Sequence, residues 1–248
     1  MLDALRTARG VFRSLRIYYF GRHDRSAMDR LYAQFVKSGD LVFDVGSHVG
    51  DRIGAFRRIG ARVVACEPQP ALVKTLRLIY GRDKSVTIEP VAVGRCDGQI
   101  ELKINVDNPT VSTASDDFVK AADGAPGWQG QNWGRSITVV MTTLDALIAR
   151  HGMPAFMKID VEGFEAEALG GLTQPVPALS FEFTTIQRDV AQACIARCVE
   201  LGYARYNAAL GESQQMVHDD WQSADAMRIW LTALPVDANS GDIYATRA

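Results

Sequence analysis

Leu41 to Gln69 runs LVFDVGSHVGDRIGAFRRIGARVVACEPQ, which reads as strand, glycine turn, helix and second strand with an acid at the second strand's tip. Leu41 to Phe43 are apolar and β-prone, and Asp44 to Gly50 supply the turn. Ile53, Phe56 and Ile59 then fall at helical spacing until Gly60 stops the helix. Arg62 to Cys66 form a second buried strand that delivers Glu67 to its end. Together they make half of a nucleoside-binding α/β unit, because a carboxylate about 20 residues beyond the first turn glycine is placed to accept both hydroxyls of a ribose. An ordinary βαβ unit with a turn glycine and an acid at a strand tip is the alternative. Glu67 standing in register weighs against it.

The turn is Gly46-x-x-x-Gly50 preceded by Asp44, not the Gly-x-Gly-x-x-Gly that brings backbone against a pyrophosphate. A dinucleotide therefore ranks below a ligand that has a ribose and an adenine but no phosphate. S-adenosylmethionine is such a ligand, and its ammonium and sulfonium suit an acid beside the turn, so Asp44 is expected to face its positive end. An NAD-type oxidoreductase and a non-catalytic domain that keeps only the fold stay as alternatives.

Beyond this unit the chain resembles the FkbM-type S-adenosylmethionine-dependent methyltransferases. The resemblance rests on DVGSHVG at 44–50, CEPQP at 66–70, PVAVG at 90–94, Ser112-Thr113, TTLDAL at 142–147, MKIDVEGFEAEALGG at 157–171 and SFEF at 180–183. These stretches occur in family order, and KIDVEGFE is the most specific of them. The chain departs from the usual Ala-Asn at Ser47-His48, and from the frequent Thr or Ser at Ile53. The resemblance implies a Rossmann-like class I methyltransferase fold: α/β, a doubly wound, mainly parallel seven-stranded sheet with a C-terminal antiparallel strand. It implies S-adenosylmethionine as cofactor, held by Asp44, Gly46, Ser47, His48, Gly50, Glu67, Pro68, Ala92, Val93 and Asp160, and O-methylation of a sugar, glycan or natural-product hydroxyl.

Composition agrees with one globular domain: 248 residues are 47% hydrophobic and 23% charged, enough to bury a sheet between two helical layers. A formal net charge of −2 argues against a nucleic-acid partner, whose binding would rest on phosphate neutralisation, and favours a small-molecule or glycan acceptor. Cys66, Cys96, Cys194 and Cys198 are scattered, with no CxxC pair, so neither a disulfide framework nor a zinc site is indicated. That cysteine usage makes a reducing cytoplasm the expected compartment, and no stretch approaches the roughly 18 apolar residues of a membrane span.

Alternation of strands and helices continues down the chain and predicts right-handed crossovers with sites at the strands' carboxyl ends. Helix is expected over Pro70 to Tyr80 with Leu72, Val73, Leu76, Ile79 and Tyr80 inward, and one strand over Val86 to Val93. Strands follow at Gln99 to Val106 and Ile137 to Met141, separated by an insertion around 107–135 whose stretch Asp123 to Arg135 reads as a long loop. Thr142 with Asp145 makes a capping box for a helix through Arg150. Ala155 to Ile159 and Ala178 to Phe183 are core strands, Glu165 to Leu169 a short helix, and Ile186 to Leu201 a helix ended by Gly202. Tyr203 to Tyr206 and Ile243 to Thr246 supply a final antiparallel pair.

Chemistry is expected where Asp160, Glu162 and Glu165 leave the fourth core strand and Glu182 ends its neighbour. Four carboxylates on one rim repel one another, which raises at least one pKa toward the range of a base. Asp160, Glu162 and Glu182 are the catalytic candidates, orienting or deprotonating an acceptor hydroxyl. The same three could bind a divalent metal such as Mg²⁺, though nothing in their spacing demands one. Glu165 reads better as an acid in the first turn of its helix, and His48 as a surface imidazole in a turn rather than a base. Trp128 and Trp133 either form a lid that stacks on a sugar or anchor their loop.

Residues 1–38 form a helical, basic amphipathic segment ahead of the 39–248 methyltransferase domain. Arg6, Arg9, Arg13, Arg16, Arg22 and Arg25 are interspersed with Leu5, Val11, Phe12, Leu15, Ile17, Tyr18, Tyr19 and Phe20. Packing on the domain with solvated arginines is the plainer expectation. Peripheral membrane contact and a homodimer contact are the others.

Overall fold

The computed structural model describes residues 2–20 and 25–247; Arg22 lies outside them. Helices α1 (Leu2–Phe20) and α2 (Arg25–Tyr32) lead into β1 (Leu41–Val45), α3 (Asp51–Ile59), β2 (Arg62–Cys66), α4 (Pro70–Tyr80) and β3 (Val86–Glu89). The chain continues through β4 (Ala92–Val93), β5 (Gly98–Ile104), α5 (Asp116–Ala122), β6 (Arg135–Thr142) and α6 (Leu144–His151). It closes with β7 (Phe156–Ile159), α7 (Glu165–Gly170), β8 (Ala178–Thr184), α8 (Arg188–Glu200), β9 (Arg205–Leu210), α9 (Ala224–Ala233) and β10 (Ser240–Thr246).

Seven strands form the main sheet in the order β3-β2-β1-β7-β8-β10-β9. Pairing is parallel from β3 to β8, and β10 runs antiparallel to both β8 and β9. Strand β1 is buried along its whole length, as a central parallel strand covered on both faces must be. Its alternation divides the core. Val42 faces Tyr32, Ile53 and Phe56 of α2 and α3, while Phe43 and Val45 face Leu147, Leu169 and Ile195 of α6, α7 and α8. A second sheet, β4-β6-β5, flanks the first.

Several boundaries differ from the expected ones. The strand over Val86 to Val93 is two: Pro90, which has no N–H to donate, separates β3, paired with β2, from β4, paired with β6. Thr143, not Thr142, caps α6 by accepting from the Ala146 N–H, while the hydroxyl of Thr142, the last residue of β6, donates to Asp97 in the turn before β5. The Asp145 carboxylate accepts from the Thr173 N–H and hydroxyl instead of closing a capping box. Ile79 is exposed, not inward. The 107–135 insertion contains a helix that its polarity hid: Ser115 caps α5 by accepting from Phe118 N–H, and Phe118 is fully buried.

Candidate active site

A cleft opens at the carboxyl ends of β1, β2 and β7. At its centre the chain leaves β1 at Gly46, with φ of +85°, where a Cβ would lie 1.7 Å from the Asp160 carbonyl oxygen at the end of β7. Only glycine permits this approach, and only glycine takes that φ without cost. The Gly46 and Ser47 amides donate to the Cys66 carbonyl, tying the turn to the end of β2. Gly46, Ser47, His48, Glu67, Pro68, Ala92, Val93, Asp160 and Glu162 all line the cleft, so the structure gathers most of the candidate residues.

Three candidates lie elsewhere. Asp44 is buried behind the wall with one carboxylate oxygen unpartnered, and burial pushes its carboxyl up to about 7. Gly50 starts α3 with its backbone packed against Tyr80 and Leu76. Glu182 lies outside the cleft, beside Glu165 and Gln187.

Glu67 closes one end of the cleft. Its carboxylate accepts from the His48 N–H at 2.9 Å and the Gln69 N–H at 2.8 Å, so each oxygen has one partner and a lone pair to spare. Burial raises its pKa to about 8 against the pull of those amides. His48 is not a surface imidazole. Its Nε2 lies 3.1 Å from Ser14 Oγ of α1 and 3.2 Å from Thr110 Oγ1, and its ring meets Tyr18 edge-on. Burial lowers its pKa to about 4, which keeps the imidazole neutral.

The carboxylates cluster at the other end. Asp160, Glu162 and Glu182 bring one oxygen each within 4.8 Å of one another, a spacing that can hold a cation. A positive group already stands beside them: Lys158 is buried, with Nζ 2.6 Å from Asp160 and 3.5 Å from Asp242. Burial alone would raise Asp160, but the Lys158 ammonium, aided by Arg52, outweighs it and holds the carboxyl below its ordinary range. Glu162 and Glu182 have no such partner, and burial followed by repulsion from Asp160 drives both well upward. Glu165 accepts from the Val161 and Gly163 amides, which fits its expected structural role.

Sequence reasoning missed Lys158, Arg52, Asp242, Glu212 and Tyr18. Arg52 bridges Asp51 at 2.5 Å and Glu212 at 2.8 Å, and with Tyr18 these groups line the cleft. A lone lysine inside the apolar run FMKI was the available signal for Lys158. His48 and Glu162 are two of the non-glycine residues with positive φ, at 48° and 55°, and both stand at strand tips in the site, where such strain concentrates.

Trp128 packs edge-on against Phe118, and Trp133 donates its indole N–H to the Val111 carbonyl at 2.7 Å. Neither lines the cleft. In this structure the two indoles anchor their loop.

Six strands running one way with β10 reversed between β8 and β9, and a cleft at the β1 turn, define the Rossmann-like fold of the class I methyltransferases. A TehB-like SAM-dependent methyltransferase from Corynebacterium glutamicum aligns over 98% of this chain and 98% of its own, with TM-score 0.50 and 11% identity. Aeropyrum pernix fibrillarin, solved with natively bound S-adenosyl-L-methionine, aligns over 91% of this chain and 75% of its own, with TM-score 0.46 and 12% identity. The precorrin-6y C5,15-methyltransferase of Geobacter metallireducens aligns over 90% and 87%, with TM-score 0.43 and 11% identity. At 11% identity and TM-score 0.50, the first of these speaks of fold alone. Comparison with curated protein sequences returned no match. The methyltransferase FkbM domain matches residues 44–233. The chain therefore belongs to the FkbM methyltransferase family and is an S-adenosylmethionine-dependent methyltransferase, which sets the oxidoreductase alternative aside.

Proposed function

We propose that this protein methylates a hydroxyl of a sugar, glycan or natural-product acceptor. One observation carries the reading: a single cleft joins a ribose-type carboxylate, Glu67, to an unpartnered acidic group, Glu162, across the Gly46 turn. Glu67 would hold the ribose hydroxyls with its spare lone pairs, and Pro68, Ala92 and Val93 would flank the base. The Ser47 hydroxyl is spent on the Asp44 carbonyl, so position 47 offers its backbone. When bound, S-adenosylmethionine supplies an electrophilic methyl on a sulfonium.

The remaining work belongs to the chain: orient the acceptor oxygen, exclude water and take its proton. Asp160, kept ionised by Lys158, accepts the acceptor's hydrogen bond and aims the oxygen. Glu162 makes no hydrogen bond through its carboxyl and is shifted in the direction a base near neutral pH needs. It receives the proton. Glu182, with a carboxylate oxygen within 4.8 Å of one on Asp160, backs it from outside the cleft. Positioning supplies most of the rate, since the methyl is already activated.

Calorimetry with S-adenosylmethionine, S-adenosylhomocysteine and NAD tests the cofactor end. Binding of both adenosyl ligands that a Glu67→Ala variant loses is expected; binding of NAD instead overturns the reading. Release of S-adenosylhomocysteine in the presence of polyhydroxylated acceptors tests the other end. Glu162→Gln should lower kcat by about 10²–10⁴-fold with cofactor affinity retained, and turnover only on amines would overturn the hydroxyl assignment.

A further inference from the structure

Helix α1 turns Val11, Leu15, Tyr18 and Tyr19 inward onto Val49, Ala71 and Leu72. Its other face exposes Leu5 (56%), Phe12 (68%), Ile17 (42%) and Phe20 (83%). Arg9, Arg13 and Arg16 are exposed among them. At about 3.6 residues per turn, positions 5, 9, 12, 13, 16 and 20 share about a third of the helix circumference.

Charge on this face has one sign. Residues 5–20 contain four arginines and no Asp or Glu, in a chain of formal net charge −2. Arg6 pairs with Asp107, while among the described residues no ion pair engages Arg9, Arg13 or Arg16. Beside Phe12 runs an apolar groove of about 650 Å³, floored by Val11, Ala71, Ile104 and Ile137, with Lys74 and Arg135 at its edge. Both of these cations are exposed.

We propose that this face docks on an anionic phospholipid bilayer, with Phe12 and Phe20 at the acyl boundary, the arginines among the phosphates and an acyl chain in the groove. Aromatic side chains interleaved with cations suit that boundary, where one end of each group is apolar and the other wet. No helix among the described residues is long and apolar enough to cross a membrane, so α1 lies in the interface. A second copy of the chain is a poor occupant. A two-fold contact through this face would set Arg9, Arg13 and Arg16 against their own counterparts.

Co-sedimentation of the full chain with vesicles tests the proposal without reference to cofactor or acceptor. Vesicles of phosphatidylcholine with phosphatidylglycerol should capture the protein, and phosphatidylcholine alone should not. Each basic side chain near such a surface is worth about fivefold in partitioning. The triple variant Arg9→Gln, Arg13→Gln, Arg16→Gln should thus bind roughly a hundredfold more weakly, and Phe12→Ser should weaken binding at unchanged charge. Circular dichroism verifies that the variants fold. Failure to bind anionic vesicles, or capture that the triple variant retains, overturns the proposal. So does a solution dimer that Phe12→Ser dissolves.

Discussion

Replacing Gly46 with alanine separates what the β1 turn does for the fold from what it does for a ligand. The backbone there has φ of +85°, which costs an L-residue about 1–2 kcal/mol. The added methyl would lie 1.7 Å from the Asp160 carbonyl oxygen and 2.8 Å from its carbon. Both atoms are main chain, so no side chain can swing aside, and the ends of β1 and β7 must part by more than an ångström. Overpacking of this kind costs about 1–3 kcal/mol. The two terms sum to about 2–5 kcal/mol, or a fall in Tm of about 4–20 °C for a domain of this size. Gly39→Ala is the matched control: φ is +90° and nothing lies within 4 Å of its Cβ, so it bears the backbone term alone. Differential scanning calorimetry should find Gly46→Ala lower by a further 2–12 °C or so. Affinity for S-adenosylhomocysteine should fall at least tenfold or so, because the Gly46 and Ser47 amides move with the turn. A Gly46→Ala protein as stable as Gly39→Ala, with unchanged affinity, would refute the steric argument.

Four further outcomes are expected. Lys158→Met leaves Asp160 and Asp242 without their ammonium and should destabilise by about 3 kcal/mol in urea unfolding; an unshifted midpoint would remove Lys158 from its place as counter-ion. Burial raises Asp44 to about 7, Glu67 to about 8 and Glu165 to about 7, so the ligand-free fold keeps protons the unfolded chain has released. These groups therefore contribute most stability below about pH 4 and lose it as pH rises toward 8, while neutral His48 opposes this weakly between its lowered pKa of about 4 and its ordinary 6.5. Tm that rises from about pH 5 to pH 8 would contradict the carboxylate burial. Glu67→Gln should weaken S-adenosylhomocysteine binding about 10–100-fold, the worth of a hydrogen bond to a charged group, and an unchanged Kd would free position 67 of that role. Chelation with EDTA should leave turnover intact because Lys158 already supplies positive charge to Asp160; loss of activity restored by Mg²⁺ would make Asp160, Glu162 and Glu182 a metal site.

The first βαβ unit was legible because each of its signals is local. Gly46, Gly60 and Glu67 act through their own backbone or strand position, so spacing alone locates them. Errors arose where a distant segment decides the outcome. Pro90 splits a strand because β6 offers Ala92 and Val93 a partner more than forty residues on. His48 looked like a surface turn residue until α1 and Thr110 closed over it. Lys158 is invisible as a site residue in a run of apolar neighbours, since its partner Asp242 comes from the last strand. Trp128 and Trp133 resisted assignment because α5, whose Phe118 they pack against, was itself hidden in a polar insertion.

Ser14 and Tyr18 belong to the same helix as Phe12 and Arg16, so one rigid rod roofs the cleft from within and meets the surroundings from without. Whatever steadies that rod from outside also slows its lifting, and a tenant inside the cleft in turn holds the rod in the pose that an outside surface would grip. Such coupling is reciprocal by thermodynamic necessity. If exchange of the spent adenosyl product for a fresh one needs that roof to lift, an outside surface gripping the rod would act on the pace of that exchange.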